Sequence, residues 1–251
     1  MVAIAQDQVR TGTRTFYVWM ALIGVAIAFG GFMPTYWSKL ATGTFHGAPI
    51  LHIHGALFFA WTLFFAAQTL FVATGRTPDH RQWGFLGISL ATAMGITVVL
   101  AAINSIKMAS GIGMADEARR FTIVSLGALA IFAFFLTMAI VNVRNPEVHK
   151  RWMLLTIVPL SQAATARLFM TAFAPPDAKG PPALFVAVPP GLLADLLIVA
   201  AMVYDWRTRG RPHRVYVIGG ALTLAVQLLS VPVGNSGTWL AIARWVESLA
   251  G

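Results

Sequence analysis

Residues 77–104 read TPDHRQWGFLGISLATAMGITVVLAAIN. From Trp83 to Asn104 this stretch carries no charged residue, and about 20 such residues suffice for a helix to cross a hydrocarbon core of about 30 Å. The reading it forces is a transmembrane helix with a polar mouth. The same reading applies to runs near 16–34, 51–73, 121–143, 152–174, 190–206 and 215–233, which with 83–104 give seven spans. The sequence therefore predicts an all-α, polytopic integral membrane bundle of seven transmembrane helices. Residues 1–15 form a tail, 16–235 the bundle, and 236–251 an amphipathic segment expected to form a short interfacial helix. The first run follows Arg10 and Arg14 as a signal peptide's would, but it is long and no A-x-A-like site follows, so we expect it to be a retained span.

Composition agrees with the spans: 57% of residues are hydrophobic and 11% charged. The formal net charge of +9 sits mostly between the apolar runs, which points to membrane topology rather than to nucleic acid. Eleven Lys and Arg lie in the N-terminal tail and the segments after spans two, four and six, against six on the other side. The positive-inside rule then predicts a cytoplasmic N-terminus in a bacterial inner membrane. With no cysteine in the chain, disulfides, iron–sulfur ligation and covalent haem attachment are excluded. Any metal or haem must use histidine, methionine or oxygen ligands.

Residues 77–83 and 145–152, TPDHRQW and NPEVHKRW, repeat one pattern: a capping residue, proline, an acid, then histidine, cation and tryptophan. Thr77 or Asn145 suits a helix cap, proline the first helical position, and Asp79 or Glu147 the positive end of the helix dipole. Trp83, Trp152 and the cations suit the membrane interface. The histidines are left over. His213, in DWRTRGRPHRVY, begins span seven on the same side, with Asp205 closing span six. Three readings stand for them: interfacial residues, a metal site of His80, His149, His213 and Asp205, or His80 and His149 as ligands of a b-type haem.

On the opposite side, His54, Trp61 and Gln68 are spaced by seven and share a helical stripe, whereas His52 lies about 200° from His54. Arg167 and Asp195 lie inside spans five and six, where ionisable groups are costly and usually face a partner or cavity. If regular helix in span six begins near Pro190, after the proline-rich segment 174–191, the two fall at similar depth. They then form either an ion pair that fixes helix register, or a site in which Arg167 receives an anion while His54 and Asp195 move protons. Gln68, Ser161, Gln162, Thr165 and Gln227 suit interhelical hydrogen bonds.

The motif residues His52, His54, Gly55, His80, Arg81, Gly84, His149, Lys150, Arg151, Met153, Arg167, Asp205 and His213 carry a resemblance. Over residues 16–235 the chain resembles a family of uncharacterised bacterial seven-span membrane proteins built around H-x-H-G, H-R-x-x-G, H-K-R-x-M and a final D…H pair. A looser likeness to membrane b-type cytochromes implies haem held by histidines near helix ends. The leading expectation is a haem-b or quinone-linked redox protein using His80, His149 and Arg167. The alternatives are a zinc-dependent membrane hydrolase using the His/Asp set, and a transporter or accessory subunit of a respiratory or photosynthetic complex. No phosphate-binding loop, dinucleotide fingerprint or nucleophile elbow is present.

Overall fold

The computed structural model describes the backbone of residues 2–175 and 177–249 and the side chains from Thr15 onward. Seven of its helices are long and apolar enough to span a membrane: Thr15–Ala41, Pro49–Ala73, Thr77–Ser110, Ala115–Val141, Pro146–Phe173, Leu184–Arg209 and Arg214–Gly234, called spans one to seven below. The protein is an all-α, multi-pass integral membrane bundle. Proline stands in the first turn of spans two, three and five, where its missing N–H has no intrahelical partner to lose. Gly75 and Gly210 follow the ends of spans two and six at φ 82° and 75°, a left-handed conformation that glycine adopts without strain.

The helices exceed the apolar runs because backbone hydrogen bonding continues through polar and charged residues. Span three starts at Thr77 and span five at Pro146, so His80 and His149 are helical residues. Asn145 caps span five as expected, its Oδ1 accepting from the Val148 N–H at 3.3 Å. Thr77 does not cap span three; it lies inside the helix, and Asp79 turns back to Arg76 at 2.7 Å. Residues 237–248 form a last helix against span four, joined by Arg119 to Glu247 at 2.8 Å.

Consecutive spans pack as neighbours, and in addition span seven lies against spans four and five and span one against span five. Spans one and five approach closely because Gly31 has no side chain: a Cβ there would come 2.5 Å from the Ala164 carbonyl oxygen. The rim is apolar, with Phe85 and Phe173 each 76% exposed. Such surface belongs against lipid rather than water.

Two helices are irregular. Pro159 cannot donate to the Leu155 carbonyl, and span five breaks at Thr156, whose hydroxyl turns to the Met153 carbonyl at 2.7 Å. In span one, Pro34 lies within a widened turn over Met33–Trp37. That turn brings the Tyr36 hydroxyl 2.9 Å from His52 Nδ1.

Candidate functional site

The beginnings of spans three, five and seven share the arginine-rich end of the bundle. His80 is in the first turn of span three and His149 in the first turn of span five, and their ring centroids are 6.1 Å apart with planes at 74°. The two copies of the sequence pattern thus converge on each other. His149 Nδ1 lies 2.9 Å from the Ala139 carbonyl of span four. Donation to that carbonyl leaves Nε2 free as an acceptor or ligand.

His80 Nδ1 is buried without a hydrogen-bond partner, as are Trp61 Nε1 and both amide atoms of Gln68 in span two. Gln68 stands five residues before the end of span two and His80 three residues after the start of span three. At 1.5 Å per residue the two differ in depth by only about 3 Å. Toward mid-membrane, Trp61, Met94 and Phe132 form an apolar wall with Met153 packed on it. This end therefore combines two close histidines, further unsatisfied polar atoms in span two and an apolar wall above, which suits a bound group with polar edges and an apolar face.

Asp205 and His213 do not join the histidine pair. Both Asp205 oxygens face Arg151, with Nη2–Oδ1 at 2.6 Å and Nε–Oδ2 at 2.9 Å, and both side chains are 1% exposed. Asp205 Oδ2 also accepts the His213 backbone N–H at 3.3 Å, while His213 Nδ1 accepts from the Val215 N–H at 3.2 Å and caps span seven. Burial, reinforced by Arg151 and Arg209, holds the His213 imidazole below its ordinary range. Among the described residues no three His, Cys, Asp or Glu side chains gather closely enough to hold one ion. The expected metal set of His80, His149, His213 and Asp205 is not assembled, because Arg151 occupies Asp205 and backbone N–H groups occupy the cap.

Arg151 is the residue the sequence concealed, counted there only as an interfacial cation. Its Nη1 also donates to Glu147 at the carbonyl, 2.7 Å, and at Oε2, 2.8 Å. Glu147 further binds Arg209 at 2.8 Å and Lys150. Arg151 lies over the Tyr216 ring, whose hydroxyl is 3.0 Å from that of Tyr17. Spans one, five, six and seven are thereby tied together. The available signal was Glu147 four residues before Arg151, the spacing of a helical ion pair. Trp152, expected at the interface, is 3% exposed and packs on Phe135, whereas Trp83 is exposed.

The expected outer site of His54, Arg167 and Asp195 is dispersed over three places. His54 Nδ1 is 3.4 Å from Thr97 Oγ1 in span three. Arg167 lies over Phe32 with its Cζ 5.8 Å from the ring centroid, and Asp195 Oδ1 accepts from Gln227 Nε2 at 3.2 Å. Arg167 and Asp195 form no ion pair. Regular helix in span six begins before Pro190, and the Thr165 hydroxyl donates to the Pro190 carbonyl at 2.8 Å. That register sets Asp195 about seven residues, or about 10 Å, deeper than Arg167. Arg167 also stands eighteen residues along span five from His149, about 27 Å, too far to serve a group held by the histidine pair.

The chain matches no protein-family model, no curated protein and no solved structure.

Proposed function

We propose that this integral membrane protein is an electron carrier of the bacterial inner membrane, in which His80 and His149 would hold a b-type haem. The observation that carries the reading is the histidine pair. Two histidine rings would need centroids about 6 Å apart to hold one metal ion between them. The observed separation is 6.1 Å.

A histidine ligand characteristically donates its other nitrogen to a carbonyl, which fixes tautomer and ring orientation. His149 has that partner in Ala139. Haem held there would supply reversible one-electron transfer at one membrane face. Trp61 and Gln68 would supply polar contacts at its edge, or to a quinone exchanging electrons with it.

The decisive experiment is the reduced-minus-oxidised visible spectrum of the purified protein. The expected result is a b-type α-band that disappears in His80→Ala and His149→Ala, with helical circular dichroism and elution volume unchanged. A wild-type protein expressed with adequate haem but showing no such band would sink the proposal.

A further inference from the structure

Asp195 lies eleven residues from the start of span six and fourteen from its end, about 16 and 21 Å at 1.5 Å per residue. It is the most deeply placed carboxylate among the described residues. Among the described residues it makes no ion pair, and its hydrogen bond comes from Gln227 Nε2. Gln227 is 7% exposed, and its amide oxygen is buried without a partner.

Gln227 lines a cavity of about 20 Å³ between spans four, five and seven, with Gln162, Thr223 and Ser230 as its other polar residues. The Thr223 hydroxyl donates to the Gly219 carbonyl at 2.9 Å and the Ser230 hydroxyl to the Gln227 carbonyl at 2.6 Å. A hydroxyl has one proton, so each of these oxygens keeps only acceptor capacity. Gln162 Nε2 donates to the Ala187 carbonyl at 3.1 Å. Gly191 leaves room for both amides: a Cβ there would come 2.9 Å from Gln227 Nε2 and 3.1 Å from Gln162 Nε2.

The cavity has room for a single water-sized occupant. Its Gln227, Thr223 and Ser230 oxygens are acceptors, and the carboxylate lies one amide away. Neutral water has two protons for three such oxygens and leaves one of them unpaired, whereas a cation satisfies all three and compensates the carboxylate form of Asp195, whose charge alone is expensive in the bilayer interior. A divalent ion brings six or more oxygens, several of them retained waters, for which a cavity of about 20 Å³ has no room. We infer that this chamber binds one small monovalent cation, a sodium ion or a hydronium, with Asp195 as its counter-charge.

The inference is independent of the histidine pair, which lies at the arginine-rich end. On spans five, six and seven, Arg167 lies about 10 Å from Asp195 toward the opposite end, the paired Arg151 and Asp205 lie toward the arginine-rich end, with Asp205 ten residues along span six, and Glu147, His149, Lys150, Arg207, Arg209 and Arg214 stand at that same end.

The test is thermal unfolding of the full chain in detergent, with sodium chloride exchanged for choline chloride at constant ionic strength, repeated between pH 5.5 and 8.5. A saturable rise in Tm specific to sodium, lost in both Asp195→Asn and Gln227→Leu, assigns a sodium site. A flat sodium response with a pH-dependent step in Tm lost in both variants assigns the proton, whereas a step that Gln227→Leu leaves in place reports only titration of the Asp195 carboxyl and overturns the inference. Wild-type protein indifferent to both, or responses that survive Asp195→Asn, overturns the inference. Thr223→Val removes one acceptor with little change in volume, and its expected weaker cation response keeps the test open if the other variants do not fold.

Discussion

Spans five and six carry two Arg–Asp combinations on the same pair of helices, and they behave oppositely. Arg151 and Asp205 meet at the arginine-rich end in a two-pronged ion pair at 2.6 and 2.9 Å, closed from solvent. Arg167 and Asp195 stay apart: the arginine leans on Phe32, while the acid takes a hydrogen bond from Gln227. Depth accounts for the difference. Arg167 stands six residues from the end of span five, about 9 Å, and its long side chain can reach headgroups from there. Asp195 is short and central. The pair that meets is structural cement, and the acid that does not meet a cation is left available for an ion.

The sharpest way to break this comparison is to remove one member of the paired set. Asp205→Ala or Arg151→Ala strands a charge in a closed site, which typically costs about 3–5 kcal/mol. The double replacement Arg151→Met with Asp205→Leu is expected to recover most of that loss, measured by denaturant unfolding in mild detergent. If the double variant proves no more stable than the singles, spans five and six depend on the charges themselves. Glu147 extends the same network but is 52% exposed. Glu147→Gln should therefore cost only about 0.2–1 kcal/mol and shrink further in high salt.

His213 tests the same cluster by titration. Its imidazole is depressed by burial and then by Arg151 and Arg209, so the unfolded chain takes up the proton first as pH falls. Stability from this group is full above the unfolded value of 6.5 and is lost as pH drops through the folded value. Between pH 7.5 and 5.5 the wild type should lose more stability than His213→Asn, whose amide can still cap span seven without titrating. Equal slopes would show that other groups set the acid sensitivity.

The bundle was legible in the sequence because a lipid-spanning helix must be written as an apolar run. The histidine pair was flagged by the repeated pattern, and its convergence was expected only as a requirement of a shared haem, since no local rule says which faces of spans three and five meet. Arg151 was misjudged for a related reason: a cation at a helix mouth obeys the positive-inside rule whether it points to headgroups or to a buried carboxylate. The depth of Asp195 was misplaced because the prolines before it suggested a late start to span six. The helix begins at Val188, after a short 3-10 turn over Leu184–Ala187, and the larger part of the difference is that Pro190 lies level with Thr165, eight residues inside the end of span five. The polar lining around Gln227 read as ordinary interhelical bonding, and only its unpartnered oxygen distinguishes it.

The smallest expected effect is the most discriminating. In a double-mutant cycle of Arg167→Gln and Asp195→Asn, measured in choline buffer so that sodium does not contribute, the two changes should add within about 0.3–0.5 kcal/mol, as they do for residues about 10 Å apart that share no partner. Asp195→Asn keeps an oxygen to accept the Gln227 amide proton and removes a buried charge, so it should not destabilise the bundle. Arg167→Gln should be close to neutral, because it breaks no ion pair. A coupling above about 1 kcal/mol would mean that the two side chains meet in the membrane. The register set by Thr165 and Pro190 would then be wrong by about two turns, and Asp195 would lose its place as the unpaired acid of the cavity.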